Sequence, residues 1–144
     1  DSYAANYFKL SEVKSFSGGT EATSFFRNTV KTLQDVGFTF QIVEFSQQNP
    51  VYAINYKNGI NPIVGFSKLY DDAHNQKPFI AITTCSSADE NCPFIADAIE
   101  RFHLPFNDPK SSDNTAQETQ KYLQANMQIA GEIHYIFKMI HDTL

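Results

Sequence analysis

The sequence predicts an α/β domain, and three stretches carry that prediction. Pro78 to Thr84 (PFIAITT) is a near-continuous apolar run, the pattern of a strand buried on both faces of a sheet. Thr115 to Leu144 places Tyr122, Met127, Ile129, Ile133, Ile136, Phe137 and Ile140 along one stripe, which predicts a long helix. Ahead of both, Val51–Tyr56 and Ile63–Phe66 flank Lys57-Asn58-Gly59, a hairpin signature. Asn-Gly suits the tight turn because its central residues need positive φ.

The remaining elements follow in order. Val13 to Ser17 reads as a short strand ended by Gly18-Gly19. From Ser24 to Val36, Phe25, Phe26, Val30, Leu33 and Val36 fall near helical spacing, with Gly37 as the C-terminal stop. Thr39 to Phe45 alternates Phe40 and Ile42 as a strand does. Pro93 to Phe102 reads as a short helix, because proline at the first helical position forfeits no intrahelical hydrogen bond. No internal repeat or low-complexity tract interrupts the chain, which predicts a single domain over 1–144.

Composition narrows the function classes. The 144 residues suffice for one core, and an apolar content of 42% with thirteen Phe and seven Tyr predicts an ordered protein. A net charge of -5 argues against nucleic acid as a partner, since a phosphate-binding face needs a basic excess. No apolar run approaches the roughly 18 residues of a membrane span. Asp1-Ser-Tyr-Ala-Ala lacks the basic start and apolar stretch of a secretion signal. Two neighbouring cysteines fit a cytoplasmic redox or metal role better than a secreted disulfide framework. The chain begins with Asp rather than Met, which predicts further residues ahead of it.

The chemistry-bearing residues cluster after the apolar run. Cys85 follows that strand, and Cys92, six residues further on, precedes Pro93. A strand end of this kind is where sites gather in open α/β sheets. A helix begun by Pro93 would set Cys92 at its positive end and favour a thiolate, while Asp89 and Glu90 oppose it. Two unrelated thiols, one buried at the strand end, remain the plainer reading. Zinc fits poorly, because none of the four His stands at short ligand spacing to the cysteines. Asn107-Asp108-Pro109 is either a turn or a loop that presents Asp108 as a proton donor to a leaving group.

Taken together, TTCSSADENCP, HLPFNDP and the upstream SFSGGTEAT resemble the arsenate reductases built on the low-molecular-weight protein tyrosine phosphatase fold. NPVYAINY, GFSKLYDD and QIAGEIHYIFKMI extend the resemblance to a bacterial phosphatase-like branch and to nearly the whole chain. It implies a three-layer, flavodoxin-like parallel sheet flanked by helices, here with an inserted β-hairpin over Val51–Phe66. It also implies roles. Cys85 matches the cysteine that displaces arsenite, Cys92 the one that resolves the mixed disulfide for thioredoxin, Asp108 the general acid, and Ser17 a serine supporting the phosphate loop. The implied partners are arsenate or phosphotyrosine as substrate, thioredoxin or another thiol as electron donor, and a second copy of the chain in a homodimer. No bound cofactor or metal is implied.

One family element is missing from these residues. The family's nucleophile sits in a loop of Cys, five residues, Arg, then Ser or Thr, whose N–H groups bind the oxyanion. Asn91 stands six residues after Cys85 and Ala98 six after Cys92, and the only arginines are Arg27 and Arg101. The resemblance therefore implies the family domain without its first strand and catalytic loop. The alternative function is a catalytically inactive binding or scaffold protein on the same fold.

Overall fold

The computed structural model describes residues 1–57, 61–84 and 94–144. Its order is α1 (Ser2–Tyr7), α2 (Arg27–Asp35), β1 (Phe38–Glu44), β2 (Val51–Tyr56), β3 (Ile63–Gly65), β4 (Phe79–Thr83), β5 (Ala98–His103), a 3-10 turn (Pro109–Ser112) and α3 (Glu118–Thr143). The result is a mixed α/β structure with two sheets: antiparallel β1-β2-β3 and parallel β4-β5.

Alternation along β1 and β2 builds the first sheet. Phe38 and Phe40 project to one face, and the register sets Phe38 opposite Tyr56 and Phe40 opposite Ile54. Their rings meet those of Tyr56 at 4.8 Å and Tyr52 at 5.6 Å. Tyr3 of α1 closes on Phe38 and Tyr56 edge-on, and its hydroxyl donates to the Ile54 carbonyl at 3.2 Å. Phe25, just before α2, covers Phe40 and Tyr52. Each such aromatic pair adds about 0.5–1.5 kcal/mol beyond its buried area. Gly65 is buried beneath this cluster, and a Cβ there would fall 2.6 Å from Ile54 Cδ1 and 3.0 Å from the Phe25 ring.

Two expectations hold closely. Gly37, at φ +105°, ends α2, with its N–H donating to the Gln34 carbonyl as a C-terminal cap requires. The long helix α3 forms and buries Tyr122 and Phe137, stacks Tyr122 on Phe26, and holds Phe8 between His134 and His141, while Met127, Ile129 and Ile140 of the expected stripe stay exposed.

Others are corrected. Ala98–His103 is a strand, not the end of a helix. Ile95, Ile99 and Phe102 have helical spacing, but pairing with β4 satisfies the backbone of both segments. The helix start expected at Pro93 lies outside the described residues, as does the Asn58-Gly59 turn. Strand β4 is buried on one face only: Ala81 and Thr83 point inward, while Ile80 and Ile82 stay 57% and 47% exposed. Val13–Ser17 forms no strand. Its continuation makes one isolated bridge, at Gly19, where the Gly19 N–H donates to the Lys68 carbonyl and the Tyr70 N–H to the Gly19 carbonyl. One bridge cannot hold a ladder. The hairpin β2-β3 joins β1 in a sheet separate from β4-β5. Among the described residues, no helix is long and apolar enough to cross a membrane.

Candidate functional site

The parallel pair β4-β5 positions the candidate site at its carboxyl end. Thr83 pairs with His103 in register, and the ladder continues as the Leu104 N–H donates to the Thr83 carbonyl at 2.8 Å. The Phe106 N–H then reaches the Thr84 carbonyl at 3.4 Å. Thr84 immediately precedes Cys85, and Phe106 stands two residues before Asp108. Thr84 and Phe106 therefore lie together at neighbouring strand ends. Cys85 and Cys92 themselves, with Asp89 and Glu90 between them, are outside the described residues.

Asp108 caps the 3-10 turn. Its Oδ1 accepts from the Lys110 N–H at 2.9 Å, and Pro109 occupies the first turn position, where no N–H is needed. The side chain is exposed and lines an open groove of about 700 Å³ between residues 107–117 and α3. Amides and hydroxyls dominate the groove wall through Asn107, Ser111, Gln117, Gln124 and Gln128, with Lys121 as its cation. A carboxylate holding a single backbone N–H and facing solvent can both cap the turn and exchange a proton with a ligand.

Behind the groove is a network that the apolar stripe concealed. Tyr122 Oη donates to Asp113 Oδ1 at 2.8 Å, and Asn28 Nδ2 donates to the same oxygen at 3.0 Å. Burial, then the hydrogen bond to the Asp113 carboxylate, push the Tyr122 hydroxyl up to about 12. Sequence spacing counted Tyr122 as core, which it is. Its polar end was not legible, since Asn28 and Asp113 are far apart in the chain.

His103 was likewise missed. Its Nδ1 lies 3.0 Å from Thr83 Oγ1, at the strand end next to Thr84.

Ser17 is exposed in the stretch before Gly18-Gly19 and makes no hydrogen bond among the described residues. That stretch docks on the segment after β3. A Cβ on Gly18 would fall 2.4 Å from Tyr70 Cα, so only glycine permits the approach. Asn49 fixes this segment by donating from Nδ2 to the Ser67 carbonyl at 2.7 Å and accepting from the Ser67 N–H at 3.0 Å. Among the described residues, no three His, Cys, Asp or Glu side chains converge as metal ligands would.

No protein-family model matches the chain, and no curated protein matches it.

Proposed function

We propose that this chain carries the thiol relay and general acid of a cysteine-based oxyanion enzyme, an arsenate reductase or tyrosine phosphatase of the low-molecular-weight phosphatase type. The observation that supports it is the Phe106–Thr84 hydrogen bond, which joins the residue before Cys85 in the sequence to the stretch that leads to Asp108. Chemistry in parallel sheets gathers beyond such carboxyl ends. On this reading β4 and β5 are part of a three-layer parallel sheet, and Cys85 and Cys92 exchange between dithiol and disulfide. Attack of one thiolate on a disulfide sulfur needs in-line approach, which a polar loop between the cysteines permits. Thioredoxin is the proposed electron donor.

The discriminating residues are the cysteines. A phosphatase needs neither Cys85 nor Cys92, whereas a thioredoxin-coupled reductase needs both. Mild oxidation followed by thiol titration and NADPH consumption with thioredoxin and its reductase tests the relay. Both thiols should be lost together and regained with one NADPH-equivalent per disulfide, and Cys85→Ser should abolish the regain. Independent loss of the two thiols would end the relay reading. It would favour the second one, a non-catalytic binding protein.

A further inference from the structure

We propose that the groove between residues 107–117 and α3 binds a neutral, polyhydroxylated ligand, an oligosaccharide. Its volume of about 700 Å³ lies in the range of small-molecule sites, and it opens to solvent. One wall carries the loop side chains of Asn107 and Asp108. The other begins with Gln117, the N-cap of α3, and continues with Lys121, Gln124 and Gln128. Steps of four, three and four residues keep that row on one helical face. At the rise of an α-helix the row spans about 16 Å.

The row is unusual for a face that meets only water. Such faces commonly carry charges of both signs. Between Gln117 and Gln128 the chain instead sets Gln117, Gln120, Gln124 and Gln128 against two charges, Glu118 and Lys121.

The wall chemistry selects the ligand. A carboxamide offers an acceptor oxygen and two donor hydrogens. Those of Asn107, Gln117, Gln124 and Gln128 make no hydrogen bond among the described residues, so both halves are open to a ligand. A hydroxyl is likewise donor and acceptor at once, and hydroxyls on adjacent carbons can meet one amide through both its groups. Lys121 and Asp108 bring one charge of each sign, so the groove carries no net charge to be matched. Phosphate, an acceptor alone, would leave the amide oxygens unused and meet the Asp108 carboxylate. An apolar molecule would strip water from the amides without replacing their hydrogen bonds. An extended peptide gains most from a backbone edge, which these side-chain walls do not supply. Oligosaccharide binding here is independent of the thiol relay, and the two are read by separate measurements.

Titrating the isotope-labelled full chain with maltotetraose, cellotetraose and chitotetraose, read by backbone amide shifts, tests the assignment. At least one sugar is expected to give saturable shifts, largest in residues 107–128. Gln124→Ala with Gln128→Ala keeps exposed helix positions in a good helix former. That double variant should bind about tenfold more weakly, the effect of losing two hydrogen bonds. No saturable shift with any of the three sugars would overturn the proposal. So would shifts centred outside the groove, or undiminished affinity in the double variant. Equal or tighter binding of acetyl-tetraglycine amide, or of inorganic phosphate, would overturn it in favour of a peptide or an anion.

Discussion

Tyr122 and Asn28 donate to one and the same oxygen, Asp113 Oδ1, at 2.8 and 3.0 Å. That carboxylate follows the 3-10 turn and fastens α2 and α3 to it. Because Tyr122 is 6% exposed and Thr32 of α2 is also buried, the joint lies where water competes poorly.

Tyr122→Phe is therefore expected to cost about 1 kcal/mol, since the ring keeps its stack on Phe26 and Asp113 keeps Asn28. The pH dependence has a definite sign. The folded-state hydroxyl at about 12 lies above the free value near 10, so folding favours the neutral phenol. Its contribution is full below about pH 10 and is lost as pH rises toward 12. Denaturant midpoints taken across that window should fall more steeply for the parent chain than for Tyr122→Phe. Parallel declines would show that the hydroxyl is not held by burial and Asp113.

Asp108 has two separable roles. Asn caps as well as Asp does, so Asp108→Asn should leave thermal stability unchanged, whereas Asp108→Ala should lose about 0.5–1 kcal/mol. Any function of the carboxyl as a proton donor disappears in both variants. In an assay where a nucleophile is present, Asp108→Asn should slow leaving-group departure by about a hundredfold. An unchanged rate with Asn would reduce the residue to its cap.

Two glycines should respond oppositely to alanine. Gly18→Ala drives a Cβ into Tyr70 backbone atoms at 2.4 and 2.8 Å, so the docked stretch must move, at a cost of about 1–3 kcal/mol. Gly131 lies within α3 with nothing within 4 Å of an added Cβ, and Gly131→Ala should stabilise by about 1 kcal/mol. Thermal unfolding of the two variants checks both signs.

The 144-residue chain alone is expected to turn over neither p-nitrophenyl phosphate nor, with thioredoxin, arsenate. Both reactions need a thiolate ringed by backbone N–H donors and an arginine on the remaining oxygens. Arg27 and Arg101 stand at no such spacing from a cysteine. Robust turnover lost in Cys85→Ser would reveal a different nucleophile geometry and overturn the expectation.

What the sequence determined by itself was local. The α2 stop at Gly37, the presence of α3, the hairpin strands β2 and β3 and the Asp-Pro turn at Asp108 each rest on residues a few positions apart. Backbone conformation and side-chain period act at that range. Tertiary structure decided the rest. Ala98–His103 has a sequence compatible with a helix, and it is a strand because β4 offers a parallel partner for its N–H and C=O groups. Val13–Ser17 could have been a strand, but its stretch reaches a single isolated bridge, at Gly19. The convergence of Asn28 and Tyr122 on one oxygen of Asp113 belongs to the same class. Asn28 comes from a distant part of the chain, and no short-range pattern records which distant groups will meet once the apolar faces pack.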